Sequence, residues 1–108
     1  MTAPELEPAA VAAAMAAGEL SVVDVREPVE WWAGHIEGAL LIPLGEFADR
    51  AGELPGGPLA IVCRSGSRSS MAADWLHRSG LTASNMTGGM KAWLAAGLPI
   101  EPADGRVA

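Results

Sequence analysis

Four consecutive apolar residues, Leu59-Ala60-Ile61-Val62, run directly into the chain's one cysteine, Cys63. Such a run offers apolar side chains to both sides at once, as a central parallel strand does when helices cover each face of its sheet. The next residues are equally constraining. Residues 64–67 are small or polar, and beyond them Met71, Ala72, Trp75 and Leu76 recur at helical spacing until Gly80 supplies a stop. A strand-loop-helix unit is therefore expected, with Cys63 at the carboxyl end of the strand, where ligands bind in sheets of this kind.

The rest of the chain alternates in the same way. Residues 8–17 are alanine-rich, open on Pro8 and close at Gly18, which predicts a helix. Residues 20–25 predict a strand with a polar end at Asp24, and residues 29–33 a short helix stopped by Gly34. A second apolar run, 39–42, is closed by Pro43, and 46–51 suit one or two helical turns. Residues 83–86 predict a last strand, and Met90, Trp93 and Leu94 one stripe of a final helix ending at Gly97. From Pro99 onward a frayed tail is expected. Strands alternating with helices imply a mostly parallel sheet between helical layers.

At 108 residues the chain suits one domain, with a core over about 5–99 and a tail at 100–108. Half of the residues are hydrophobic, enough for a core without disulfides or a structural metal. The net charge of -6 argues against nucleic acid or an anionic membrane as partner. An anionic substrate would need a local reversal of sign, and two of the seven basic residues, Arg64 and Arg68, stand beside Cys63. One cysteine forms no internal disulfide, the first residues are acidic, and no apolar stretch reaches the roughly 18 residues of a membrane span. A soluble, cytoplasmic protein is expected.

The loop Cys63-Arg64-Ser65-Gly66-Ser67-Arg68-Ser69 has the small residues that let successive backbone N–H groups turn inward as an anion cradle. The start of the next helix adds partial positive charge, and the two arginines add full charges if their side chains fold over the pocket. Each feature favours thiolate over thiol, so the Cys63 pKa is expected below the ordinary value of about 8.5. A nucleophile then needs no general base, and neither His35 nor His77 is placed to be one. The same cradle suits the negative charge of a persulfide. The plainer alternative is a small buried hydrophobe, the common role of a lone cysteine after an apolar strand. Two flanking arginines in a Ser/Gly loop argue against it, because an apolar site has no use for the charges.

Three blocks carry a family resemblance. Asp24-Val25-Arg26-Glu27-Pro28, with Gly34-His35-Ile36-Glu37-Gly38-Ala39 and Ile42-Pro43-Leu44, resembles the amino-terminal signature of the rhodanese family. Residues 62–69 resemble its active-site loop, and Gly88-Gly89-Met90-Lys91-Ala92-Trp93 with Gly97-Leu98-Pro99 its carboxy-terminal signature. The resemblance implies an α/β, rhodanese-like fold: a five-stranded, mostly parallel sheet flanked by helices on both faces, with a short strand near Glu5 and Leu6 that the residue pattern alone does not reveal. It implies a sulfurtransferase in which Cys63 takes sulfane sulfur from a small anionic donor such as thiosulfate, releasing sulfite. The sulfur then passes to a thiol, including that of an acceptor protein, or to cyanide.

In that reading Arg64, Ser65, Gly66, Ser67, Arg68 and Ser69 form the substrate-binding loop, and no metal or organic cofactor is implied. Asp24 and Arg26 are supporting residues, either bordering the pocket or paired internally to brace the loop. His35 is expected as a hydrogen-bonded structural residue, and Gly88 and Gly89 serve tight geometry before the last helix. Trp31 and Trp32 are adjacent, so only one can face inward on a short helix.

Two rivals remain. Cysteine phosphatases and arsenate reductases also set a thiolate and an arginine around an anion loop, but the phosphatase loop is one residue longer than the four residues between Cys63 and Arg68, and it carries histidine where this chain has Val62. A non-catalytic binding or regulatory module on the same fold is the other, and such modules often lack the cysteine.

Overall fold

The computed structural model describes residues 2–108. Among the described residues, five strands form one sheet: β1 Glu5–Leu6, β2 Ser21–Asp24, β3 Leu40–Leu41, β4 Leu59–Val62 and β5 Ala83–Met86. Their order is β1-β5-β4-β2-β3, and every neighbouring pair is parallel. Four helices, α1 Pro8–Ala16, α2 Pro28–Ala33, α3 Ser67–Arg78 and α4 Gly89–Ala95, complete the expected α/β fold.

The two cores follow the strand period of two. Val23, Leu59, Ile61, Cys63 and Ala83 face α3, where Ala72, Ala73 and Leu76 meet them together with Phe47. Val22, Ala60, Val62 and Met86 face the opposite way, against Val11 of α1 and Met90 and Trp93 of α4. Each large aliphatic side chain buried in this way contributes about 1.5–3 kcal/mol, so strand β4, buried along its whole length, anchors the sheet. Helix α2 has no buried residue. It is held by Pro28 in its first turn and by a reciprocal cap in which Glu27 and Glu30 satisfy each other's backbone N–H groups.

Three expectations need correction. Residues 46–51, expected to hold one or two helical turns, instead link two 3-10 turns, Leu44–Glu46 and Ala51–Glu53, each containing a glycine that disfavours a longer helix. Of the apolar residues aligned on α3 and α4, Met71, Trp75 and Leu94 are exposed, because each helix buries only a narrow stripe. The tail is not frayed. Ile100 is buried in the core beside Trp93, His35 and Glu101 exchange backbone hydrogen bonds of 2.9 and 2.7 Å, and the Arg106 N–H donates to the Ala33 carbonyl at 2.8 Å. Gly34 is closely covered by this tail, since a Cβ there would lie 2.5 Å from the Arg106 carbonyl oxygen. Among the described residues no helix is long and apolar enough to cross a membrane.

Candidate active site

Cys63 comes directly after the last residue of β4 and continues the strand's alternation toward α3. Its Sγ accepts a hydrogen bond from the Gly66 N–H at 3.0 Å and from the Ser69 hydroxyl at 3.2 Å, and the N–H groups of Ser65 and Ser69 also point to it. Burial pushes the thiol pKa up, but the Ser69 hydroxyl and the three N–H groups outweigh it and hold the pKa below the ordinary thiol value.

The loop's outward side explains why its N–H groups turn inward. The carbonyls of Cys63 and Arg64 are claimed by the N–H groups of Met90 and Lys91, at 2.8 and 3.0 Å, in the first turn of α4. Gly89 allows that approach. Its φ is +61°, and a Cβ there would stand 2.5 Å from the Cys63 carbonyl oxygen. Gly66, at φ +108°, then turns the chain into α3, whose amino-terminal end lies beside the sulfur and adds partial positive charge.

Neither arginine bonds to the sulfur. Arg64 turns outward, its Nε donating to the Ala108 carbonyl oxygen at 2.9 Å. Arg68 makes a bidentate pair with Glu30, at 2.7 and 2.8 Å, which joins α3 to α2. The pairing holds the Glu30 carboxyl down at about 2 and raises the Arg68 pKa, to which the negative charges of Cys63 and Asp24 add. Asp24 and Arg26 form an internal ion pair with no exposed surface, closed by Nη2 to Oδ2 at 2.7 Å and by Nε to both carboxylate oxygens. Arg26 goes on to the carbonyls of Gly34 and Glu30, at 2.9 and 3.3 Å, so the pair braces α2.

Ser65, Ser67 and Arg64 are exposed while Gly66 and Ser69 are buried, and Cys63 is 0 % exposed. The sulfur therefore lies beneath the loop, out of contact with solvent. His35 has the structural role its position suggests: its Nδ1 meets the Trp31 carbonyl at 2.8 Å and its ring stacks on Trp31 at 3.8 Å. Trp32 is 73 % exposed.

Three residues that sequence reasoning passes over belong to this neighbourhood: Glu30, Asn85 and Glu5. Asn85 accepts from the Ser69 hydroxyl at 2.5 Å and donates to Glu5 and to the Gly66 carbonyl. The one signal in the sequence is a lone amide at a core-facing position of β5.

Fold and loop together define an α/β domain with a cysteine cradle at the carboxyl edge of a parallel sheet. The family profile of the rhodanese-like domain matches residues 7–96, and the chain belongs to that family. A sulfurtransferase of Allochromatium vinosum is 37 % identical over 89 residues, covering 81 % of this chain and 83 % of that protein. A putative sulfur carrier protein of Bacillus subtilis is 42 % identical, over 68 % of this chain and 41 % of that protein. An HTH-type transcriptional regulator of Mycobacterium tuberculosis is 40 % identical, over 79 % of this chain and 39 % of that protein. The chain thus spans about two-fifths of the length of the last two relatives. Among solved structures, a rhodanese-related protein of Thermoplasma volcanium superposes with a TM-score of 0.84 at 28 % identity, covering 90 % of this chain and 96 % of that one.

Proposed function

We propose that this domain is a sulfurtransferase that carries sulfane sulfur as a persulfide on Cys63. The observation that carries the reading is the cradle itself: a sulfur at the end of β4 that receives inward N–H groups and a hydroxyl, with its pKa held down. The thiolate attacks the outer sulfur of a donor such as thiosulfate, a new S–S bond forms to Sγ, and sulfite leaves with the electron pair of the broken bond. The terminal sulfur keeps one negative charge, which the loop amides stabilise. An acceptor thiolate or cyanide then attacks that sulfur and restores the Cys63 thiolate.

A relative named as a sulfurtransferase supports sulfur transfer, and one named as a putative sulfur carrier protein supports a protein as acceptor. We place the reaction in the cytoplasm, where a single cysteine stays reduced. Asp24 and Arg26 act by bracing α2 rather than by touching substrate. A phosphatase reading is disfavoured, because Arg68 is tied to Glu30 instead of facing an oxyanion beside the sulfur.

The full burial of Cys63 favours a second reading, a binding or regulatory module in which the thiol does no chemistry. Turnover separates the two. With thiosulfate and cyanide the protein is expected to form thiocyanate, and Cys63→Ser to form none. Thiocyanate formed equally by both proteins, or by neither, rejects the transferase reading.

A further inference from the structure

The Ser69 hydroxyl faces two acceptors with one proton to give. Sγ of Cys63 lies 3.2 Å away on one side and Oδ1 of Asn85 lies 2.5 Å away on the other. The amide of Asn85 has no freedom to turn round and donate instead. Its Nδ2 is held by the Glu5 carboxylate, at 3.1 and 3.2 Å, and by the Gly66 carbonyl at 3.2 Å, and these groups accept only. Strand β1 pairs with β5 so that Glu5 stands opposite Asn85, and the Thr87 hydroxyl also donates to that carboxylate, at 3.1 Å.

From this we infer that Asn85 is a positioning residue for the transfer proposed above, competing with the Cys63 thiolate for the proton of Ser69. In the thiol state the conflict is absent: S–H donates to Ser69 Oγ and the hydroxyl donates to Asn85. In the thiolate state one acceptor goes without. Either Ser69 turns to the sulfur and leaves a buried amide oxygen facing a lone pair, or it stays with Asn85 and the thiolate keeps only backbone N–H donors. Once the S–S bond forms, the inner sulfur is neutral and divalent, a weak acceptor, and the proton returns to Asn85. Asn85 therefore raises the free energy of the bare thiolate relative to both the thiol and the loaded persulfide, which makes the sulfur a stronger nucleophile and favours loading.

The sign of the effect separates this role from simple support of the loop. If Asn85 only held Gly66 in place, its loss would loosen the cradle and raise the thiol pKa. Competition for the proton requires the opposite. The test is the pH profile of Cys63 alkylation in Asn85→Leu and Asn85→Ala, alone and combined with Ser69→Ala. Each single Asn85 variant is expected to lower the midpoint by roughly one pH unit. Ser69→Ala should raise it, and in the Ser69→Ala background the Asn85 substitutions should shift nothing further.

A midpoint that rises or stays put in both Asn85 variants, or a shift of equal size without Ser69, overturns the assignment. In the unsubstituted protein, which needs no variant to fold, the Asn85 side-chain amide resonances should titrate with the thiol, and resonances flat through that midpoint overturn it as well. The profile requires no sulfur donor, so its failure leaves the transferase reading intact, while absence of any persulfide rejects that reading and leaves the profile interpretable.

Discussion

Gly89 shows how closely one residue can control the cysteine loop. Its backbone is left-handed at φ +61°, and the space where a side chain would start is occupied by the carbonyls of Cys63 and Arg64. Gly97 is left-handed too, at φ +77°, but has nothing within 4 Å. Gly97→Ala should therefore cost only the backbone term, about 1–2 kcal/mol. Gly89→Ala adds a clash with backbone that cannot be relieved by turning a side chain. It should cost clearly more than its counterpart in chemical denaturation and slow Cys63 alkylation at neutral pH. Equal losses for the two variants would show that the approach of α4 to the loop is not constrained.

How much of this site the sequence discloses also depends on the residue. Cys63 and its cradle are local: the loop residues 63–69 are contiguous, and small residues before a helical pattern lead directly to inward N–H groups. The arginine side chains are different. Arg64 finds Ala108, 44 positions away, and Arg68 finds Glu30, 38 positions away, so no local pattern states where either charge goes. Asn85 and Glu5 are 80 positions apart and meet only because β1 pairs with β5.

Among the elements, those with strong periodicity are the ones the sequence discloses. Strand β4 occupies the residues predicted for it because it is apolar on both faces, and α3 carries Met71, Ala72, Trp75 and Leu76 and ends before Gly80, as their spacing predicts. The two-residue strand β1 has too short a pattern to be seen without the family resemblance, and in the tail the buried Ile100 stands between Pro99 and Glu101-Pro102, with no helical or strand period to announce it.

Of the four helices α1 to α4, α2 alone has no buried residue, and its hold on α3 is the Glu30–Arg68 pair. The Glu30 pKa falls from 4.5 to about 2 on folding, so its stabilisation is fully present above about pH 4.5 and is lost as the pH falls toward 2. Glu30→Gln should destabilise the domain at neutral pH by about 1 kcal/mol, since the pair is partly open to solvent. Denaturation curves of the variant and the unsubstituted protein should converge between pH 4.5 and 2. A difference that persists undiminished at the acid end would mean that the carboxylate charge is not what joins the helices.

For the molecule as a whole, the sheet does two things for the sulfur. Parallel strands bring their carboxyl ends to one edge, and the two helical layers leave that edge as the place where backbone N–H groups are free to gather. An acidic protein, with a net charge of -6, thereby gains a small region suited to a negative charge. The domain's relatives include proteins of which it spans only about two-fifths, so a domain of this kind also occurs as one part of larger chains. Sulfur transfer at Cys63 requires that the sulfur beneath the loop can be reached and loaded. The most direct test is the intact mass of the protein after incubation with thiosulfate and removal of excess donor. A gain of one sulfur atom per chain is expected, removed by cyanide and absent in Cys63→Ser. An unchanged mass, with a Cys63 that also resists alkylation at neutral pH, would contradict it.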